Sequence, residues 1–151
     1  MTTVVSRPAD LLELVDHDLG TSDWLTVPQA DVDVFARVAR DEQWIHVDPE
    51  RARTGPFGVP IVHGYLTLAL IVPLLDQILQ VENCGISINY GLNRVRFPAP
   101  LPAGSRIRMT GRIAQAAAIA GGVHLVCDST VMRDGGDRPV CVAQSVFRFY
   151  D

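Results

Sequence analysis

Residues 41–64 read DEQWIHVDPERARTGPFGVPIVHG. The stretch holds a carboxylate, an imidazole, an Asp-Pro turn signal, Gly-Pro breaks and a terminal His-Gly. Asp41 and His46 lie five positions apart. On an α-helix, five steps of about 100° set them roughly 140° apart, on different faces. On a strand, an odd separation also puts them on opposite faces. Only an irregular turn brings both side chains to one point. Asp48-Pro49 supports such a turn, with Asp48 as N-cap and Pro49 as first helical residue. Asp41 then closes one helix, Asp48 opens the next, and Trp44-Ile45-His46 bridges them.

A carboxylate and an imidazole that converge can hold a water and move its protons. Histidine suits both directions of transfer near neutral pH. The plainer reading is that Asp41 caps a helix end and His46 is a half-buried packing residue. The second half of the stretch adds a further element. Gly64 opens an apolar run, so its bare N–H would sit at the positive end of a helix. A donor placed there suits a developing oxyanion. Close packing is the plain alternative for this glycine.

The composite of Asp41, His46-Val47-Asp48-Pro49 and Pro60-Ile61-Val62-His63-Gly64 resembles the MaoC-like hydratases. These are (R)-specific enoyl-CoA hydratases, or hydratase 2, with hotdog folds. The resemblance runs from about Asp23 to Val146. Within the family it looks like the single-hotdog branch of nodulation-type proteins and mycobacterial 3-hydroxyacyl dehydratases. It implies that Asp41 and His46 bind and activate water, and that the Gly64 N–H holds the thioester oxygen. The implied reaction is reversible hydration of a trans-2-enoyl thioester to the (R)-3-hydroxyacyl thioester. The substrate would be an acyl-CoA or acyl carrier protein thioester, with no cofactor and no metal, in a homodimer. Tyr65 and Asn89 are secondary substrate-binding candidates, alongside Tyr90 and Asn93. Which of Asp41 and His46 is the formal base stays open.

Three other readings compete. His46, Asp48 and His63 carry atoms suited to a metal, but Asp48 serves better as a cap. A hotdog acyl-CoA thioesterase would place a carboxylate on the central helix, where only Asp76 stands. A non-catalytic acyl-thioester-binding subunit would usually lack the Asp or the His.

The 151 residues suffice for one domain, expected to span the whole chain. Net charge is −4 and pI near 5.5, which argues against a nucleic-acid partner. Cys84, Cys127 and Cys141 are odd in number and form no CxxC, so reduced thiols in a cytoplasm fit best. The N-terminus lacks a basic-then-apolar signal. The apolar window from Ile61 to Leu79 is broken by His63, Gly64, Pro73 and Asp76, which excludes a membrane span.

In order, Ala9 to Val15 predicts a short helix and Asp23 to Val27 a short strand. Thr26-Val27-Pro28-Gln29 reads as a capping box. The following helix should bury Ala30, Val34 and Val38, with Phe35 alongside. Val62 to Leu79, apolar on nearly every face, predicts a helix buried all round and kinked at Pro73. From Gly85 the pattern alternates. Gly121-Gly122 and Asp134-Gly135-Gly136-Asp137 mark hairpins between strands ending near Phe149. Helices first and strands after make an α+β chain: an antiparallel meander of about four strands curled round one buried helix. This is the hotdog arrangement that the resemblance also implies.

Overall fold

The computed structural model describes residues 2–151. Its largest element is an antiparallel sheet of strands β2 (Asp18–Thr21), β3 (Leu25–Thr26), β5 (Ile86–Arg96), β6 (Arg106–Ile119), β7 (Gly122–Arg133) and β8 (Pro139–Tyr150). Two long hairpins, β6–β7 and β7–β8, form its centre. The first turns through Ala120 and Gly121, and Gly121 has φ +73°, a conformation that glycine adopts without strain. At Gly122 an added Cβ would lie 2.1 Å from the Phe149 carbonyl oxygen, so the next strand passes too close for any side chain.

Alternation decides which face is core. Ile107, Met109 and Ile113 of β6, Leu125, Cys127 and Val131 of β7, and Cys141, Ala143 and Phe147 of β8 are buried. They pack against Ile71, Leu74, Leu75 and Ile78 in one continuous core. Each fully buried large aliphatic side chain contributes about 1.5–3 kcal/mol.

The central rod departs from one long helix. It is α4 (Gly64–Ala69) followed by α5 (Ile71–Leu75), and Leu79 belongs to a strand, β4 (Leu79–Val81). Pro73 has no N–H to donate to the Ala69 carbonyl and its ring crowds that oxygen, so the break falls one turn before it. Nor is the rod buried all round. Tyr65 is 72% exposed, and Leu68, Leu70 and Val72 are half-buried. In the sheet, β5 pairs with β8 at an edge and not with β6 as chain order suggests.

Other differences are local. The capping box at Thr26 does not form. Thr26 is in β3, and Pro28 is the N-cap of α1 (Gln29–Ala39) with no side-chain cap bond. α1 buries Val32 and Ala36, whereas Val34 and Val38 are exposed. The N-terminal helix is a 3₁₀ turn over Pro8–Leu14. β1 (Thr3–Val5) pairs in parallel with β4, a contact between sequence-distant segments that no local pattern announced. No helix among the described residues is long and apolar enough to cross a membrane.

Candidate active site

The turn demanded by the Asp41–His46 spacing is built from backbone. α1 stops at Arg40, whose φ of +56° is left-handed, and the Asp41 N–H donates back to Ala36 O at 3.0 Å. The chain then makes α2 (Trp44–Val47), one turn that carries His46. Asp48 ends α2 and caps α3 (Pro49–Arg53), its carboxylate accepting from the Arg51 N–H at 3.0 Å. The Asp-Pro signal was therefore legible. The bridge between the two helices is itself helical.

His46 is 7% exposed. Its Nδ1 lies 2.6 Å from the Ile61 carbonyl oxygen. A carbonyl only accepts, so Nδ1 carries the proton and the neutral ring keeps its lone pair on Nε2. The Gln29 amide donates to the His46 carbonyl at 2.7 Å and fixes the turn from behind. Burial holds the His46 pKa below 6.5; the Ile61 bond and Asp41 oppose this, and His63 adds to it. The Asp41 carboxylate is half exposed. Polar atoms of Asp41, His46 and His63 all lie within 4.8 Å of one another. A water at about 2.8 Å from each of two such groups spans a gap of that size.

These three residues replace the His46–Asp48–His63 set as the metal-capable group, since Asp48 is occupied as a cap. The geometry suits a metal poorly. The two imidazoles stack face to face, centroids 3.7 Å apart and planes 22° apart. Their lone pairs lie in two near-parallel planes, whereas two rings on one ion at about 2.0–2.1 Å must point at a common atom.

A cleft of about 310 Å³ opens beside His46, lined also by Phe57, Ile61, Gly64, Phe97 and Val140. Gly64 is the first residue of α4, where a helical N–H has no partner within the helix. A Cβ on Gly64 would lie 2.9 Å from the Phe97 ring, so a side chain there would intrude on the cleft. Tyr65 and Asn89 do not join this cleft. Tyr65 points outward, and Asn89 lines a separate groove with Leu68, Val72 and Phe147. Asp76 lies at the end of α5, in a third cavity with Glu82 and Cys84, and burial raises its pKa. Arg106 and Arg108 stack on Trp24. Sequence reasoning passed over Phe97 and weighed the His63 side chain only as a metal ligand. His63 was visible in the same motif; nothing local marked Phe97.

The chain has known relatives. The model of the MaoC like domain matches residues 11–129. The chain is 46% identical over 142 residues to 3-hydroxyacyl-thioester dehydratase Z of Mycobacterium tuberculosis (strain ATCC 25618 / H37Rv), covering 93% of this chain and 94% of that one. It is 43% identical over 102 residues to nodulation protein N of Rhizobium leguminosarum bv. viciae, covering 66% and 63%. Among solved structures, an (R)-hydratase from A. caviae involved in PHA biosynthesis superposes with TM-score 0.68 at 25% identity, covering 85% and 93%. The chain belongs to the MaoC-like dehydratase family and is an enzyme with the hotdog fold.

Proposed function

We propose that this enzyme interconverts trans-2-enoyl and (R)-3-hydroxyacyl thioesters, with the whole chain acting as one domain. The observation that carries the reading is that His46 and Gly64 line one cleft, with the Asp41 carboxylate beside His46. The relative named as a thioester dehydratase supports the substrate class. The thioester carbonyl accepts from the Gly64 N–H. Water held by Asp41 and His46 adds its oxygen to C3 as one proton leaves to the pair. That proton returns to C2, so one water is consumed and no charge remains. Charge builds on the carbonyl oxygen in the enolate-like transition state, where a fixed amide donor helps most. The roles of Asp41 and His46 are assigned to the pair. Either a CoA or an acyl carrier protein thioester offers the required carbonyl.

The working unit in this reading is a homodimer in the cytoplasm. β5 is an edge strand of eleven residues that exposes Ile86, Ile88, Tyr90 and Leu92. An uncovered apolar edge of that length invites pairing with a second copy. Light scattering at micromolar concentration should give twice the chain mass.

The activity test follows crotonyl-CoA absorbance with Asp41→Asn and His46→Gln. Each should lose about 10²–10⁴-fold in kcat. If both stay within about threefold of the parent, acid–base work by this pair is wrong. Chiral analysis of the product checks the (R) configuration.

A further inference from the structure

His63 is 2% exposed and touches all three parts of the proposed machinery. Its Nε2 lies 2.8 Å from the Asp41 carbonyl oxygen, so Nε2–H donates to the backbone of the residue that carries the carboxylate. Its ring stacks on His46 at 3.7 Å, with Phe35 tilted against it at 5.0 Å. It is the N-cap of α4, next to Gly64, and its own carbonyl accepts from Thr67 through both N–H at 3.0 Å and Oγ1 at 3.2 Å. Its Nδ1 is buried without a hydrogen-bond partner. An orphaned buried acceptor is unfavourable. A phenylalanine would stack on His46 without that orphan. What the imidazole adds is the bond to the Asp41 carbonyl.

We infer that His63 is a positioning residue, one that ties the Asp41 turn, the His46 ring and the Gly64 amide into a single rigid unit. The inference deepens the hydratase reading and rests on it. His63 touches no substrate atom in this scheme. It acts through the two groups that hold water. The charges acting on the His46 ring come from His63 and Asp41. On α1, Asp33 reaches the His46 carbonyl through the Gln29 amide. The cleft lining beyond His46 supplies no other titratable side chain. The stacked His63 ring lowers the His46 pKa further, so His63 helps keep His46 neutral and able to accept a proton.

The test uses the full chain with His63→Phe and His63→Gln, crotonyl-CoA as substrate, and Asp41→Asn run alongside. His63→Phe keeps the stacked area and removes the donor; kcat should fall by up to about 10²-fold with KM little changed. His63→Gln supplies an amide donor and should recover most of that loss. Both variants lack the second imidazole, so the acid limb of kcat/KM should move to higher pH in each. Should His63→Phe fail to fold, the pH profile of His63→Gln decides. Parent-like kcat in His63→Phe, or an unmoved acid limb in His63→Gln, overturns the inference. A parent with no hydration activity removes the hydratase reading instead, and an Asp41→Asn variant as active as the parent removes Asp41 from the machinery, so the failures are distinguishable.

Discussion

Strands β6, β7 and β8 hold one another by long backbone ladders, each with one register shift, from Ile107 opposite Arg133 to Gly122 opposite Tyr150. Residues 41–64 have no ladder and are fastened at separate points. His46 Nδ1 bonds Ile61 O, His63 Nε2 bonds Asp41 O, Gln29 bonds His46 O, and the Ile61 N–H bonds Ile45 O. In the sheet, side chains are free to be apolar because the backbone satisfies itself. In the connector, imidazoles do the backbone's work, and polar atoms are left facing a cleft. The difference teaches why the chemistry sits on the connector: a regular strand cannot bring two residues five apart onto one side.

Substitutions should separate the two regions. The largest effect belongs to the sheet. Leu125→Ala empties a fully buried site and should lower stability by about 2–5 kcal/mol, read by urea unfolding, while the folded fraction keeps its kcat. Gly64→Ala should do the reverse. Its methyl meets the half-exposed Phe97 ring, so melting should barely change while kcat/KM falls by up to about 10²-fold. A large drop in melting temperature there would mean that Gly64 serves packing and not the cleft. Asp48→Ala removes a cap and should cost about 1 kcal/mol, with activity following only as far as the turn loosens. Smallest is the pH effect on stability. The His46 pKa is lower folded than unfolded, chiefly through burial. The unfolded chain therefore takes up the proton first as pH falls. The neutral ring's contribution is full above the unfolded value of 6.5 and is lost as the pH drops through the window down to the folded value. Melting temperatures of the parent and His46→Gln, measured across that window, should converge on the acid side.

Much of this was readable from local chemistry. Alternation from Gly85 onward marked the strands, Gly121 the tight hairpin, and Asp48-Pro49 the helix start. The unmatched readings depended on partners far along the chain. Val34 and Val38 have helical spacing, yet the face of α1 that meets the protein carries Val32 and Ala36, and spacing cannot say which side a neighbour occupies. β5 pairs with β8 because the segment between Phe97 and Arg106 carries the chain across the sheet, and its sequence does not state a destination. Phe97 enters the cleft, and Asn89 stays out of it, for the same reason.

The sequence by itself determined the chemistry available: an acid, an imidazole and a glycine amide, on either side of Pro and Gly breaks that forbid a regular element. Tertiary structure alone decided which His46 nitrogen keeps its lone pair. A carbonyl fifteen residues away, on Ile61, accepts the hydrogen bond from Nδ1–H. Hydrogen bonds between distant backbone groups and side chains fix tautomer and orientation, and no local pattern of residues encodes them.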